Sequence, residues 1–437
     1  MDAEKVVKRP LRRDLLTTLA AQATACVCGL LVYRLAASLF GPDDFSKYAV
    51  TRRAISLLQP ALNMGLGVGV ARYVAQSSAA GDEEQADTYF VAALFVQTVA
   101  LICVAASLNL AVGPISRLIY GSIDGHALVP ALSLVLVGLS LHSVCYSYFR
   151  GHIAVRSSNL LVVANVALVP MIGIELGRGV ERALLWTGGL TSLLSVCVMF
   201  FIIKGLRWPP VNVYRCAQRL LQYGIPRLFG DLGLAGLLAA PSLVAVHLYD
   251  LRLAGYLALA TSILGLFGAS LAPIGIVLLP RLMHLIVRQD VDYLRSFIRK
   301  TLVVQMLVSI PSTVVVLASA PLLIRLYLGP AYVDAAGIIR IVAIAFVPYG
   351  AYLAMRSVLD SVYVTALNSR NIAISLAVFG SLVGIVAKLS LSVDWLAGAM
   401  TASLTCLGGL TILETEKIVS GRAVLDSPST AAVSETS

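Results

Sequence analysis

The chain has 437 residues, of which 58% are hydrophobic and only 13% charged, with a mean hydropathy of +0.87. Soluble globular chains carry about a quarter charged residues, so this composition excludes an ordinary soluble domain and points to lipid. The net charge of +10 does not argue for nucleic acid, because the basic residues fall in short clusters between apolar runs, the pattern that orients membrane proteins.

In chain order, residues 1–14 are basic and are expected to form a cytoplasmic N-terminal segment. The apolar run that starts at Leu15 continues to the turn at Gly41-Pro42-Asp43-Asp44, too long for a cleaved signal, so it is expected to be a membrane anchor. Further apolar segments long enough to span fall near 45–74, 87–112, 127–149, 159–176 and 183–203, then 220–247, 252–280, 301–324, 336–356, 371–390 and 394–415. The expected fold is therefore all-α, a polytopic membrane protein of about twelve transmembrane helices. Its expected parts are an N-lobe over 15–203, a cytoplasmic linker over 204–219, a C-lobe over 220–415 and a disordered cytoplasmic tail over 416–437.

About 21 lysines and arginines fall at the N-terminus, in every second loop and in the tail, against about seven in the alternate loops. This asymmetry places both termini in the cytoplasm. The acidic Gly81-Asp82-Glu83-Glu84 is the exception among the inner loops, although acids count little in this rule. Arg281 to Lys300 is basic and amphipathic and is expected to lie on the inner leaflet, as a lipid-headgroup contact or as a solvated connector.

The two halves repeat at an offset of about 208 residues: Tyr48 with Tyr256, Arg72 with Arg281, and Arg117-Leu-Ile-Tyr-Gly121 with Arg325-Leu-Tyr-Leu-Gly329. Halves with even helix counts insert the same way up, which implies a pseudo-two-fold axis along the membrane normal and a central cleft between the lobes.

The candidate site residues follow from charges placed inside apolar spans, where each costs on the order of 3 kcal/mol and normally faces a bundle interior or a watery cavity. Arg34 lies before the Gly41 turn and Arg52 and Arg53 after it, so a hairpin brings them level. Arg52 and Arg53 point about 100° apart, so only one faces the cleft well, and the other can snorkel to headgroups. Asp231 follows a segment interrupted by Gly224, Pro226 and Gly230, and broken helices near the midplane are where transporters bind substrates and ions. Its expected neighbour is Arg227, one turn earlier, so the same residues also read as a stabilising ion pair.

Seven cysteines and five histidines show neither metal spacing nor a metalloprotease motif, and no phosphate loop occurs. No metal, cofactor or catalytic residue is assigned. A catalytic role for Asp43 and Asp44 is disfavoured by the shortness of their loop.

Several stretches carry a resemblance. Leu39-Phe-Gly-Pro-Asp-Asp-Phe-Ser-Lys-Tyr48 and Gly65-Leu-Gly-Val-Gly-Val-Ala-Arg-Tyr73, with Arg34, Gly41, Tyr48, Gly65 and Arg72 as matching positions, resemble the opening hairpin of polysaccharide exporters. These belong to the multidrug/oligosaccharidyl-lipid/polysaccharide (MOP) flippase superfamily. The segments opening at Gly224, Gly255 and Val277, and Arg325-Leu-Tyr-Leu-Gly-Pro-Ala-Tyr332, are similar to later parts of the same family, so the match covers roughly residues 10–415. The resemblance implies a flippase, not an enzyme, that moves a polyprenyl-pyrophosphate-linked oligosaccharide across a bacterial cytoplasmic membrane. Arg34, Arg52, Arg53 and Arg227 would form its cationic cleft and Asp231 its ion-coupling group. It also implies membrane lipids, a polysaccharide polymerase and glycosyltransferases as partners, and no nucleic acid. The alternatives are a multidrug/cation antiporter of the superfamily, which would favour carboxylates and aromatics, and a membrane glycan polymerase or glycosyltransferase, which usually needs a large outer loop.

Overall fold

The computed structural model describes the backbone of residues 11–207, 212–287, 291–362 and 367–420, and the side chains of 17–207, 212–271, 295–359 and 367–420. Residues 1–10, the tail after 420, linker residues 208–211 and the side chains of 281–294 in the basic stretch lie outside the described residues. The described residues are helical, with no strand among them. Ten helices are long and apolar enough to cross a membrane, and the bent pair Pro330–Ala343 and Phe346–Leu359 supplies an eleventh crossing. The first helix, α1 (Leu11–Asn63), counts twice because it breaks at Gly41 (φ 73°, ψ 174°). Tyr33 lies 6.2 Å from Tyr48 and 5.5 Å from the Arg52 guanidinium, whereas nineteen residues of straight helix would separate Tyr33 from Arg52 by roughly 28 Å. The chain therefore folds back at Gly41, a φ that glycine adopts without a Cβ clash, and the described crossings reach the expected twelve.

The chain divides into two compact units, Met1–Leu259 with Pro321–Ala336, and Ala260–Ala320 with Gly337–Ser437. In the first, α1 is followed by α2 (Leu66–Ala79), α3 (Glu83–Leu110), the short α4 (Val112–Tyr120) and α5 (Leu128–Gly151). A broken crossing follows, α6 (Val155–Val162), a π-helical segment (Val163–Leu168) and α7 (Val169–Gly177), then α8 (Val180–Gly205) and α9 (Val213–Leu248). Helix α9 starts seven residues before the expected 220, because Cys216 and Ala217 extend its buried face into the core of Leu66, Val70, Val74, Phe90 and Val144.

The acidic loop has a structural cause. Asp82 caps α3, its carboxylate accepting from the Gln85 N–H at 2.9 Å, and Glu83 and Glu84 fill the first turn, where acids suit the helix dipole. Asp87, one turn on, is buried; it accepts from Tyr148 Oη at 2.8 Å and from the Arg207 N–H at 3.1 Å, tying α3 to α5 and to the end of α8.

The Arg325–Tyr332 motif binds the first leg of α1 to the end of α11 (Val291–Tyr327) and the short 3-10 helix Pro330–Ala335. Tyr327 Oη donates to Leu30 O at 2.6 Å, Tyr332 Oη to Ala37 O at 3.0 Å, and Arg34 Nη1 to Leu326 O at 3.2 Å.

The second unit holds the rest of α10 (Leu251–Val287) and most of α11, then α12 (Ala336–Ala343), α13 (Phe346–Val362), α14 (Leu367–Lys388) and α15 (Val393–Val419). Ile298, Met355, Val358, Leu359 and Ile418 form its buried core. Glu414 gathers Arg370 at 2.7 Å and Lys417 at 3.0 Å where α14 begins and α15 ends. The repeat gains one more pair: Arg150 lies over Tyr146 at 5.7 Å and Arg356 over Tyr352 at 5.9 Å, again about 206 residues apart.

Candidate functional site

The second leg of α1 stops short. Pro60 cannot donate to the preceding turn, the helix ends at Asn63, and Met64 (φ 44°) and Gly65 (φ 70°) are left-handed before α2 restarts at Leu66. The 45–74 segment, expected as one helix, is thus a broken one. Helix α9 crosses at this break with its Gly224 backbone against Met64 and Gly65, an approach that leaves no room for a Cβ on either glycine. The first turn of α2 has no side-chain cap; the Val68 N–H donates to Gly65 O at 3.3 Å, and the positive dipole end of the helix stays uncapped by any side chain at the break. Gln97 of α3 donates to Leu62 O at 3.1 Å, satisfying one carbonyl of the terminating turn.

Beside the break lies a cavity of about 400 Å³, lined by Arg53, Ser56, Gln59, Asn63, Gly65 and Asp231, with Gly67 and Val68 of α2 and Leu234, Ala235 and Leu238 of α9. Two of the expected site residues, Arg53 and Asp231, therefore meet in one cavity. Asn63 Oδ1, also at the break, is buried with no hydrogen-bond partner, so the site retains unused polar capacity.

The neighbouring arginine is placed differently. Arg52 donates from Nη1 to Tyr48 Oη at 3.2 Å, and its guanidinium lies 5.5 Å from the Tyr33 ring and 5.9 Å from the Tyr48 ring. It is enclosed by aromatic faces, where cation–π attraction offsets lost hydration. Arg34 is exposed and lines a separate cavity of about 430 Å³ with Ser38 on α1 and Met171, Ile172 and Glu175 on α7.

Arg227 turns back along α9, 3.8 Å from the Tyr223 ring centroid and donating to Tyr223 O at 3.2 Å. Asp231 lies a turn further on along the same helix. Arg72 of α2 approaches the same Tyr223 ring at 4.8 Å, so two guanidiniums from two helices share one ring. Of the expected residues, the structure joins Arg53 with Asp231, and leaves Arg34, Arg52 and Arg227 in three other environments. Gln59, Asn63 and the α2 N-terminus were not expected at the site; Pro60 and the Gly65-x-Gly67-x-Gly69 spacing were the signal for them. Among the described residues no group of three or more His, Cys, Asp or Glu could hold a metal ion.

A family model described as "Polysaccharide biosynthesis protein" matches residues 35–337. The chain belongs to this family. The lipid III flippases of Escherichia coli (strain K12) and of Shigella flexneri are each 28% identical to this family member over 200 residues, covering 44% of this chain and 47% of the relative. The chain thus spans about half the length of the curated relatives it matches. Among solved structures, the inward-facing form of a multidrug resistance MATE family transporter of the MOP superfamily superposes with a TM-score of 0.71 at 14% identity, over 92% of this chain and 98% of that one. Its outward-facing counterpart gives 0.67 over 96% and 98%. A MOP superfamily transporter from Pyrococcus furiosus, described as having a binding pocket of reversed polarity, gives 0.64 at 13% identity over 93% and 95%. The family member therefore has the twelve-helix, two-lobe MATE fold and is a multi-pass membrane protein.

Proposed function

We propose that this protein flips a polyprenyl-diphosphate-linked oligosaccharide from the cytoplasmic to the outer leaflet of a bacterial cytoplasmic membrane, with both of its own termini in the cytoplasm and no catalytic chemistry. A glycan carrying an anionic diphosphate cannot cross hydrocarbon without a polar, cationic path. The observation that carries the reading is the broken-helix cavity, where Arg53 and the uncapped N-terminus of α2 converge beside Asp231. Half-helix N-termini aimed at anionic groups are the usual anion sites of transporters. Membership of a polysaccharide biosynthesis family and the names of the matched relatives support this substrate class. The fold likeness to multidrug transporters, at 14% identity, bears on architecture alone.

In this reading Arg53 holds the diphosphate, Arg34 and Arg227 extend the cationic path, and Arg52 fixes the hairpin. Asp231 couples headgroup movement to an ion. The lobes 15–203 and 220–415 rock about the path, and a polymerase and glycosyltransferases work on either side of the step. The test is Arg53→Ala and Arg53→Lys in cells that make the glycan. Ala should leave the protein inserted while the lipid-linked glycan accumulates on the inner leaflet. Lys should rescue only in part, because it keeps the charge but not the two-pronged donor geometry. Undiminished export in Arg53→Ala at normal expression overturns the assignment, and export of cationic dyes by the wild type would favour antiport instead.

A further inference from the structure

A second group of cations gathers where α2, α3 and α9 meet. Tyr73 of α2 stacks on Tyr89 of α3, with ring centroids 4.9 Å apart and 14° between planes, and meets the Tyr223 ring of α9 edge-on at 5.7 Å. Gly69 makes room for the last ring, since a Cβ there would lie 3.5 Å from Tyr223 Cδ1 and 3.2 Å from Leu220 Cδ2. Both ends of this tyrosine row hold guanidiniums. Arg219 Nη1 donates to Tyr89 Oη at 3.3 Å, while Arg227 and Arg72 lie 3.8 and 4.8 Å from the Tyr223 centroid. Two like charges held at one ring repel each other. The acids at this end of the helices are engaged elsewhere: Asp82 caps α3, Glu83 accepts from Ser78 Oγ at 2.7 Å, and Asp87 accepts from Tyr148 and from the Arg207 N–H. Among the described residues no carboxylate lies within ion-pair distance of Arg72, Arg219 or Arg227, and all three residues are exposed.

The group is displaced from the broken-helix cavity in the same direction on both helices that share it. Arg72 lies seven residues beyond Gly65 on α2, and Arg227 lies one turn before Asp231 on α9, a step of roughly 6–10 Å along the axes. Arg72, Tyr89 and Arg219 each stand six or seven residues from the helix ends at Ala79, Glu83 and Val213. In the proposed orientation those ends face the cytoplasm, and a long arginine side chain there reaches the inner headgroup boundary. The ring faces fix the guanidinium planes, and planar forks so held suit phosphate oxygens. We infer that Arg72, Arg219 and Arg227 on the tyrosine row form a loading site, which holds the diphosphate of the polyprenyl-linked glycan at the inner leaflet before it moves on to Arg53. The identity of this occupant rests on the flippase reading; the anion site itself rests on the unneutralised arginines.

The test uses the full-length protein in phosphatidylcholine nanodiscs that carry a trace of radiolabelled undecaprenyl diphosphate. A photoreactive residue is placed at the exposed Gln76, one turn beyond Arg72, or at Gln59 in the broken-helix cavity. The otherwise unchanged protein should take up label at both positions. Arg72→Gln/Arg219→Gln should lower labelling at Gln76 by roughly tenfold, because charge-assisted hydrogen bonds to phosphate are lost. Arg53→Ala should lower labelling at Gln59 and leave that at Gln76 unchanged. Arg72→Lys/Arg219→Lys should fall between the two, keeping the charge without the fork. Unchanged labelling at Gln76 in the double glutamine variant overturns the inference. If that variant does not yield inserted protein, the double lysine variant decides, and labelling equal to that with both arginines present overturns the inference. Phosphatidylglycerol that competes at Gln76 as well as unlabelled undecaprenyl diphosphate does also overturns it, and makes the group a seat for bulk anionic lipid. Labelling at Gln59 without labelling at Gln76 removes the loading site and leaves the flippase reading standing, whereas labelling at neither position removes both.

Discussion

The crossing of α9 over the break between α1 and α2 gives the sharpest mechanical prediction, because three glycines at or next to the crossing differ in the space they have. A Cβ on Gly65 would lie 2.6 Å from both Cα and O of Gly224 and would sit on a left-handed residue at φ 70°. One on Gly224 would strike the Met64 carbonyl oxygen. The obstacles are backbone atoms, which no rotamer change can move. A Cβ on Gly67 would meet Ser143 Oγ at 3.5 Å and Ser147 Oγ at 3.7 Å, both ordinary contacts. Overpacking costs about 1–3 kcal/mol, and the left-handed conformation adds about 1–2 kcal/mol for a residue with a Cβ. Gly65→Ala should therefore lose about 2–5 kcal/mol and Gly224→Ala about 1–3 kcal/mol, while Gly67→Ala inside α2 should be neutral or gain about 0.5–1 kcal/mol. The assay is the fraction of detergent-solubilised protein that stays monodisperse after a heat series. If Gly224→Ala resists heat like wild type, or Gly67→Ala is as damaging as Gly65→Ala, the backbone contact does not hold this crossing together.

Other perturbations separate structural from site roles. Arg52→Ala removes two cation–π contacts and the partner of Tyr48 Oη, so it should cost at least about 2 kcal/mol and lower protein yield. Arg53→Ala should leave yield and heat resistance close to wild type. His142 and Asn165 are buried and bond each other at 2.7 Å across α5 and the π-helical segment. Either one changed to leucine strands the other at about 1–3 kcal/mol, and the double change should recover much of that loss in the same heat series. Burial pushes the His152 imidazole below its ordinary 6.5, against the pull of Glu83 and Asp87. The neutral ring is thus the favoured folded form: its contribution is present above about pH 6.5 and lost as the pH falls below that. Heat resistance should drop between pH 7.5 and pH 5, and less so in His152→Gln.

The sequence made the crossings legible because lipid imposes long apolar runs, and it exposed the hairpin because Gly41-Pro42 interrupts one of them. It also brought Arg53 and Asp231 forward as charges inside spans, and they do share a cavity. Their environments were not readable. Adjacent residues on one helix differ only by rotation, so Arg52 and Arg53 could not be told apart until the hairpin placed Tyr33 beside Arg52. The Arg227 direction depended on Tyr223, an i, i+4 ring that attracts a guanidinium as well as a carboxylate would. The break at Met64 and Gly65 was masked by the surrounding apolar residues, since hydropathy does not report φ. The acidic Asp82 to Glu84 loop reads as an exception to loop charge because capping is a local hydrogen-bond effect, blind to orientation.

The charge of the broken-helix cavity bears on why a carrier would keep an acid beside the arginine proposed to hold its diphosphate. A site made of Arg53 and the α2 N-terminus alone would hold a diphosphate strongly in every conformation. A ligand bound equally well by both states moves neither of them. Asp231 in the same cavity offsets part of that positive charge and, if it gains or loses an ion during the cycle, makes the headgroup affinity differ between states. On this proposal Asp231→Asn leaves the cavity more positive at all times. Binding of the lipid-linked glycan to the purified protein should be kept or tightened, while export in cells should fall. A purely structural carboxylate predicts the opposite pattern, with lower protein yield and binding lost in proportion. Export and binding that both stay at wild-type levels would show that the acid does not take part in the cycle.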